Sequence, residues 1–364
     1  MQTLFFGVVI GAISGCNGSS SNNSTSTNSW NLVGGNIPGN NITLNSIVYG
    51  NGQVYTGGSV DVNNPAVFNF VNSWQITAGN YLPNPNGATE QVNSIAIDNK
   101  TLYVAFNVTM SGSLGYRPTV GYLANNSGAG GSWLILANES AVPDDGGINS
   151  ITVSNGTTYV GTGGYDLNNN AYYGHVYSCA GAQSPWQKVG GESMPNGGEV
   201  YSVALSSTGS VYAGTGGYNL TSNSSFGSVY VSINNGNWQQ VGGSSTPDSG
   251  VVTSLAISAT DQIYAATSNG NVYSSAGNSP WSVLGGGNLP DNASITSINL
   301  SGNGLIYAAT NNGNIYAASI NQPWQLVGGG GMPDGWYANS ITTASGIIYA
   351  ATQGGNVYST SITQ

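Results

Sequence analysis

The sequence predicts an all-β protein that folds as a seven-bladed β-propeller with four antiparallel strands in each blade. The first observation is composition, because 56 of the 364 residues are Gly and no stretch keeps the apolar period of 3.6 typical of a helix. The second is a recurring phrase of Trp, one or two apolar residues, usually Gly-Gly, and a turn that usually holds a Pro. This phrase occurs seven times, at Trp30, Trp74, Trp133, Trp186, Trp238, Trp281 and Trp324.

The third observation is the order of short strands inside one repeat. Alternating runs occur at 253–258 (TSLAIS), 263–267 (IYAAT), 271–275 (NVYSS) and 281–284 (WSVL), with turn-forming residues between them. The next repeat keeps this order, and its Trp follows 43 residues after the previous one. Four short strands with one Trp per repeat are typical of a propeller blade, whereas the coils of the alternative, a β-solenoid, are usually shorter.

The last repeat supplies only three strands, at 339–344, 347–352 and 356–361. Its missing Trp-led strand has an unused copy near the N-terminus, at 30–34 (WNLVG). We therefore expect the Trp30 strand to complete the last blade, three strands plus one, because this pairing removes the exposed edges of an open array.

Two motifs resemble known propeller families. Residues 232–238 (SINNGNW) resemble a degenerate Asp-box, roughly Ser-x-Asp-x-Gly-x-Thr-Trp, with Asn234 in place of the Asp. That motif marks the hairpin between the third and fourth strands in BNR or sialidase-like and photosynthetic-assembly-factor-like propellers. Residues 161–195 are similar to a kelch repeat, through Gly163-Gly164, Tyr165, Asp166, Tyr177, Trp186 and Met194-Pro195. Both resemblances imply a propeller, and neither fixes a function.

The N-terminal residues predict a membrane anchor. Residues 4–13 form a short apolar run that ends in Ile13-Ser14-Gly15-Cys16, which resembles a bacterial lipobox. The resemblance implies a signal peptide over 1–16 with lipidated Cys16, followed by an Asn/Ser/Thr tether over 17–29 and the propeller over 30–364. We therefore expect a lipoprotein of the bacterial cell envelope, at the outer membrane or cell surface, that meets the membrane through its lipid alone.

One feature departs from an export signal, because no Lys or Arg precedes Lys100. The true start then lies upstream, or the signal is a weak one. The alternative is an apolar N-terminal segment that packs against the folded body. The second cysteine, Cys179, occupies the place of Ser275 in a later repeat, so we expect a small half-buried strand residue and no disulfide framework.

Charge excludes one class of partner. Only Lys100, Arg117 and Lys188 are basic, and the formal net charge is −10. Three cations cannot neutralise a phosphate backbone, so we expect no nucleic-acid partner. Nothing in the sequence predicts a cofactor or an oligomer, and the expectation is a monomer.

Most enzyme classes that the resemblances imply lack their residues here. Sialidase chemistry uses three Arg residues and the chain has only Arg117, whereas copper-binding kelch enzymes use two His residues and the chain has only His175. A Ser-His-Asp triad would also need His175, whose counterpart in a later repeat is Asn271, and this favours a structural role. No Asp-x-Asp run predicts a calcium or other metal site. A glycoside hydrolase or lyase that uses paired carboxylates remains an alternative, since 13 acidic residues are present.

The acidic residues predict an acidic face. Nine of the 13 fall between a Trp-led strand and the next inner strand: Glu90, Glu139, Asp144, Asp145, Glu192, Glu199, Asp248, Asp291 and Asp334. Four of them follow Pro in pairs that suit type I turns, which is a structural reason for each one taken singly. Their combined field would attract cations or a basic partner.

Three long connections between second and third strands predict a binding surface on that same face. They span 109–119, 163–174 and 216–227, whereas the last three repeats have tight turns. The candidate ligand-binding residues in them are Tyr116, Arg117, Tyr165, Asp166, Tyr172, Tyr173, Tyr218 and Asn219. Such rings, carboxamides and carboxylates suit a glycan or a protein, although variable solvated loops have the same composition. The sequence thus favours a non-catalytic binding module for a glycan or protein, with the glycosidase and an envelope-complex scaffold as alternatives.

Overall fold

The computed structural model describes residues 29–362, except 62–63, 78–81, 83–89, 110–115, 124–131, 140, 145, 167, 183, 192, 220–221 and 278. The predicted signal segment 1–16 with Cys16, and the tether as far as residue 28, lie outside the described residues. The described chain forms seven four-stranded antiparallel sheets, and the inner strands of successive sheets contact one another around a ring. The predicted seven-bladed β-propeller is confirmed.

Each blade uses four strands in order from the centre of the ring outward. The first strand of the chain, β1, spans Asn31–Leu32. Blade 1 contains β2 (Thr43–Gly50), β3 (Gln53–Val60), β4 (Asn64–Phe70) and β5 (Trp74–Ile76). Blade 2 contains β6 (Glu90–Asp98), β7 (Thr101–Thr109), β8 (Tyr116–Leu123) and β9 (Leu134–Ile135). Blade 3 contains β10 (Gly147–Ser154), β11 (Thr157–Asp166), β12 (Ala171–Ala180) and β13 (Gln187–Lys188).

The remaining blades follow the same order. Blade 4 contains β14 (Glu199–Leu205), β15 (Val211–Asn219), β16 (Ser224–Ser232) and β17 (Gln239–Gln240). Blade 5 contains β18 (Val252–Ile257), β19 (Gln262–Thr267), β20 (Val272–Ala276) and β21 (Ser282–Val283). Blade 6 contains β22 (Ile295–Leu300), β23 (Ile306–Thr310), β24 (Ile315–Ala318) and β25 (Gln325–Leu326). Blade 7 contains β26 (Ala338–Ala344), β27 (Ile347–Thr352) and β28 (Val357–Ser361) together with β1.

Helical structure is slight, as the composition predicts. Among the described residues it amounts to one α-helical turn, α1 (Leu136–Glu139), a 3-10 turn over Val241–Gly243, and Thr77, which also has 3-10 conformation. No helix in the described part of the chain has the length and apolar character needed to cross a membrane.

The ring closes through β1, as predicted. This strand pairs antiparallel with β28, with Asn31 opposite Ser359 and Leu32 opposite Tyr358. The backbone N–H of Val33 extends the ladder by donating to the carbonyl of Val357 at 2.8 Å. Blade 7 is therefore made of three C-terminal strands and one N-terminal strand.

The Trp phrase has a packing explanation. A Cβ built at Gly328 of blade 6 would lie 2.3 Å from Nε1 of Trp30, so the indole packs on a backbone that has no side chain. Gly328 also has a φ of +72°, a conformation that favours glycine. The same contact joins Gly190 to Trp238, Gly242 to Trp281, and Gly285 to Trp324. In these four contacts the Trp of one blade packs on a Gly of the preceding blade, and Trp30 makes this contact for blade 7.

A second repeated feature, a pattern of hydrogen bonds, joins the innermost strands of neighbouring blades. Each carries a β-bulge, such as the one between Leu44 and Ser46 in β2, and the residue after the bulge is always Ser. The hydroxyl of Ser46 accepts a hydrogen bond of 3.1 Å from the backbone N–H of Ile95 in the next blade. Equivalent bonds run through Ser94, Ser150, Ser202, Ser254, Ser297 and Ser340, and the last of these returns to Ile47. Seven serines thus form a closed circuit of hydrogen bonds around the ring.

The bulge residue adds a second bond to the next blade. Asn45 donates through Nδ2 to the carbonyl of Val92 at 2.9 Å. Asn93, Asn149, Thr253, Thr296 and Asn339 make the equivalent bond in their blades. Blade 4 has Tyr201 at this position. The core lies between the blades, where side chains of adjacent sheets such as Tyr264, Ile295 and Trp324 pack into one cluster.

Candidate functional site

The candidate binding surface is one end of the ring, which we call the insertion face. It carries the connections from the outer strand of each blade to the inner strand of the next, together with the turns between second and third strands. A direct contact shows that the two sets of connections share this face. The connection residue Asp248 accepts a hydrogen bond of 2.6 Å from Oγ1 of Thr267, which ends a second strand.

This contact belongs to a repeated arrangement that we call the aspartate clip. In blade 5, Oδ2 of Asp248 also accepts from Nδ2 of Asn271 at 2.9 Å, and Oδ1 accepts from the backbone N–H of Gly250 at 2.9 Å. Asp291 binds Thr310 and Asn314, Asp334 binds Thr352 and Asn356, and Asp144 binds Thr162 and His175 in the same way. These four acidic residues therefore hold strand ends together, which confirms their structural role in the turns.

Blade 4 carries a neutral form of the clip. Asn196 replaces the aspartate and donates through Nδ2 to Oγ1 of Thr215 at 2.9 Å. Ser228 stands where the other blades have Asn or His, and its hydroxyl donates to Oγ of Ser245 at 3.0 Å. The fold thus accepts an uncharged residue at the aspartate position.

The clip of blade 3 contains His175, at the position that sequence comparison gave it opposite Asn271. Nδ1 of His175 lies 2.9 Å from Oδ2 of Asp144, and Nε2 lies 2.9 Å from Oγ of Ser193 in the following connection. The side chain of Asp144 is 2% exposed and that of His175 is 14% exposed. Burial alone would raise the pKa of Asp144, but the hydrogen bonds from His175, Thr162 and the backbone of Gly146 lower it below its ordinary value.

The long hairpins of blades 3 and 4 lie against each other. A Cβ at Gly217 of blade 4 would lie 3.0 Å from Cδ2 of Tyr172 in blade 3. The Tyr172 ring meets Tyr165 edge-on, with ring centroids 4.9 Å apart. The hydroxyl of Tyr165 donates to Oδ1 of Asn170 in its own hairpin, and that of Tyr218 donates to Asn223 at 2.6 Å. The tyrosines that were predicted to bind a ligand are therefore held by neighbours, with Tyr218 still 38% exposed.

The polar candidates in these hairpins also have local partners. Asp166 accepts hydrogen bonds from the backbone N–H of Asn168 and from the backbone and side chain of Asn169, and these bonds lower its pKa. Oδ1 of Asn219 accepts from the backbone N–H of Ser222 at 3.1 Å. Both residues shape the tips of their hairpins. A direct ligand contact by either one stays a prediction.

The other candidates are placed by their strands. Tyr173 shares one side of β12 with His175 and Tyr177, and the centroids of the Tyr173 and His175 rings are 6.3 Å apart. In blade 2, Tyr116 pairs with Thr109 and the exposed Arg117 pairs with Val108 along the β7–β8 hairpin.

The structure also shows a groove that the sequence did not predict. It has a volume of about 860 Å³ and lies on the insertion face between blades 7 and 1. One wall is the connection from β1 to β2, with Asn36, Ile37 and Asn41, and the other is the tight turn of blade 7 at Gln353 together with Trp336. No lining residue is charged. In a ring of seven, blade 7 is three blades away from both blade 3 and blade 4, so the groove lies across the face from the packed hairpins.

Trp336 is the tryptophan of the groove wall, and it departs from the repeat. The residue two positions after the clip aspartate is Gly146, Gly250 or Ala293 in blades 3, 5 and 6, and in each case its backbone N–H donates to that aspartate. The N–H of Trp336 makes the same bond to Asp334 at 3.1 Å, but its side chain is 50% exposed. The next residue, Tyr337, is 46% exposed.

The Trp336 ring has a fixed position. A Cβ at Gly354 would lie 2.2 Å from Cδ1 of the indole, so the ring packs directly on this turn. One side of the ring is thus supported and the other is open. Trp336 lies outside the seven Trp phrases, and the signal in the sequence is an eighth Trp where other repeats have Gly or Ala.

Blade 4 holds a half-buried acidic residue near the centre of the ring. Glu199 begins β14 and hydrogen-bonds Tyr201 and Asn149. Burial raises the pKa of Glu199 despite these bonds, and burial together with Glu199 raises the pKa of Tyr201. Tyr201 stands at the bulge position where the other inner strands have Asn or Thr. Its partner is the carboxyl group of Glu199.

Two smaller expectations concern the third-to-fourth strand hairpins. Cys179 is buried, and its Sγ lies 3.1 Å from the carbonyl oxygens of Gly181 and Ser184. Ser275 makes the equivalent contact in blade 5, where its Oγ lies 2.6 Å from the carbonyl oxygen of Ser279. Cys179 is thus a small strand-end residue with a hydrogen-bonding role.

The predicted Asp-box-like turn does join β16 to β17, and Oδ1 of its Asn235 accepts from the N–H of Gly190 in blade 3.

Comparison with known proteins shows the fold. No protein-family model matches the chain, and no curated protein matches its sequence. Among solved structures it is similar to YCF48 bound to a D1 peptide, with 13% identity, a TM-score of 0.62, and coverage of 92% of this chain and 97% of that one. A catalytically inactive virginiamycin B lyase from Staphylococcus aureus with quinupristin gives 12% identity, a TM-score of 0.66, and coverage of 92% and 100%. The WD40 propeller of Doa1 has 14% identity and a TM-score of 0.63, and the match covers 92% of this chain and 98% of that one.

Proposed function

We propose that this protein is a binding module whose groove between blades 7 and 1 is a non-catalytic site for a glycan. The observation that carries the proposal is Trp336, a half-exposed ring at a position where the other clips have Gly or Ala. The scaffold does not need a large ring there, because the same backbone bond forms without one. An exposed aromatic residue in a groove is a typical anchor of a binding site.

The chemistry of the groove suits a neutral sugar. The open face of the Trp336 indole can stack on the apolar face of a sugar ring. The carboxamides of Asn36, Asn41 and Gln353 offer both donors and acceptors for hydroxyl groups. Since no lining side chain is charged, we expect neutral glycans to bind better than uronic or sialic acids. No acidic residue lines the groove, so hydrolysis by a carboxylate pair is the weaker hypothesis there.

A protein ligand is the second candidate. The specific observation in its favour is the packed pair of hairpins on blades 3 and 4, which presents Tyr218 on a supported surface. One structural neighbour was solved with a peptide. A protein partner at this surface would make the chain a scaffold subunit of an envelope complex.

The cellular place of the protein is also a proposal. The lipobox-like sequence at Ile13 to Cys16 supports a lipoprotein of the bacterial envelope, anchored through Cys16. Mass spectrometry of the wild type and of Cys16→Ser tests this, because an acyl mass absent from both would contradict it. The turn at 232–238 supports kinship with Asp-box propellers, and the kelch-like residues of blade 3 remain the alternative.

The binding test is a glycan array with the purified protein and two variants. Trp336→Ala gives blade 7 the residue that blade 6 has at Ala293, so it should fold as the wild type does. We expect binding of a neutral glycan that falls at least about tenfold in Trp336→Ala and is unchanged in Tyr218→Ala. Loss in Tyr218→Ala or Tyr173→Ala alone would move the site to the hairpins. Turnover of the bound glycan would favour the glycosidase.

A further inference from the structure

We propose that Ser193 is a nucleophile activated by His175, and that this second site on the insertion face transfers acyl groups from carboxylic esters. The proposal rests on one chain of contacts that ends at the surface. The buried carboxylate of Asp144 meets Nδ1 of His175 at 2.9 Å, and Nε2 of the same ring meets Oγ of Ser193 at 2.9 Å. This is the order of carboxylate, imidazole and hydroxyl used by serine nucleophiles.

The environment sets the tautomer of the imidazole. Oδ2 of Asp144 also accepts from Oγ1 of Thr162 at 2.6 Å, and Oδ1 accepts from the N–H of Gly146 at 2.8 Å, so the carboxylate is fixed as an acceptor. The carboxylate therefore accepts a hydrogen bond from Nδ1–H of His175, and Nε2 is left as the acceptor that faces Ser193. Asp144 acts as a positioning residue, since it touches only the imidazole and its own clip.

The fold does not require histidine here. Blades 5, 6 and 7 build the same clip with Asn271, Asn314 and Asn356, whose Nδ2 atoms bind the aspartate at 2.8 to 2.9 Å. Asparagine satisfies the carboxylate but cannot accept a proton at neutral pH. Blade 3 thus differs from the scaffold by the one change that adds a base.

The partner hydroxyl is shared with blade 4, which lacks the base. The residue at this position is Ser193, before Met194, in the connection after blade 3, Ser245, before Thr246, after blade 4, and Asn288, before Leu289, after blade 5. Ser245 bonds to the hydroxyl of Ser228 rather than to an imidazole. Ser193 and Ser245 are both exposed, so the two positions differ in their base and not in their access to solvent.

The reaction follows from these contacts. Oγ of Ser193 attacks the ester carbonyl carbon while its proton passes to Nε2 of His175. The bond to the alkoxy oxygen breaks, and the proton moves from His175 to the leaving alcohol, which yields an acyl ester on Ser193. Water then attacks this ester, gives a proton to His175, and the acid leaves as Ser193 recovers its proton. No oxidant, metal or cofactor enters the balance.

The test is covalent labelling with a fluorophosphonate, in which the Ser193 oxygen bonds to phosphorus and fluoride leaves. We expect one label, found by peptide mass spectrometry on Ser193 and not on Ser245. Ser193→Ala should abolish it. His175→Asn, which copies the clips of blades 5 to 7, should keep the melting temperature and lower the labelling rate by about 100-fold.

A matched pair tests the positioning role. Asp144→Asn and Asp248→Asn remove the same carboxylate from equivalent clips, and the native Asn196 shows that asparagine is accepted there. Both should lower the melting temperature alike, but only Asp144→Asn should slow labelling. The proposal is overturned if the folded wild type takes no label, or if His175→Asn labels as fast as the wild type.

Discussion

Blades 5 to 7 and blades 2 to 4 are built from the same four strands, but they use the insertion face differently. In blades 5 to 7 the second and third strands meet in tight turns, and each clip consists of Asp, Thr and Asn. In blades 3 and 4 long hairpins extend above the face and pack on each other. The irregular blades would ordinarily be given the binding role, since ligand-binding residues concentrate on variable loops.

The groove proposed as the binding site lies outside these irregular blades. Much of the polar and aromatic chemistry of the hairpins of blades 3 and 4 supports the hairpins themselves, as the bonds of Asp166 and Tyr218 show. The regular blades gain an open groove through a single residue, Trp336, next to a connection supplied by blade 1. If the proposed site is correct, a repeat can acquire a site through one substitution in a connection, without any inserted loop.

The largest test of this comparison removes the strand that completes blade 7. Deletion of residues 30–35 eliminates β1 and the Trp30 indole that packs on Gly328, so we expect the melting temperature to fall by at least about 10 °C. Replacing the hairpin tip 165–172 with Asn-Gly should lower it much less. Thermal unfolding followed by circular dichroism measures both. An unchanged transition after the deletion would contradict the closure.

The next test compares two tryptophans of the regular half. Trp324 is 6% exposed and packs on Gly285, so Trp324→Ala should lower the free energy of unfolding by about 3–5 kcal/mol. Trp336 is half exposed, and Trp336→Ala should cost less than about 1 kcal/mol while it removes ligand binding. Denaturant titration gives both values. Equal losses of stability would show that Trp336 belongs to the scaffold.

The smallest expected effect concerns the half-buried carboxyl of Glu199 in blade 4. The folded pKa of Glu199 is raised above its ordinary value of 4.5, so the unfolded chain loses this proton first as the pH rises. Stability from this residue is therefore complete below that value and declines as the pH rises towards the folded pKa. Glu199→Gln should remove the decline. We expect its melting temperature to exceed that of the wild type at pH 7 and to converge with it in acid, as measured by calorimetry across this range.

The sequence was sufficient for the fold because its signals repeat. Seven Trp phrases and an incomplete last repeat predict seven blades and their closure, and the Trp30 contact with Gly328 is the physical reason. The serine circuit has a repeated signal as well, since Ser is preceded by Asn, Thr or Tyr and followed by Ile, Val or Leu in every inner strand.

The candidate sites were less accessible to sequence reasoning. The groove joins Trp336 to Asn36 and Asn41, which come from opposite ends of the chain, and only the closed ring brings them together. The pairing of His175 with Ser193 depends on how a connection folds back over the start of β12. Repeat comparison identified the structural place of His175 correctly, but it could not show which side chain faces the other ring nitrogen.

The closing pair of β1 and β28 also joins the two ends of the described chain. Every other strand pairs with a neighbour in sequence, so we expect the first six blades to form from local contacts. The seventh blade has to bring the two ends of the domain together, at a loop-closure entropy that grows only slowly with chain length. Until then the outer edge of β28 and the surface of Gly328 stay uncovered. We therefore expect the pairing of Asn31–Leu32, a strand of two residues, to be the last step of assembly.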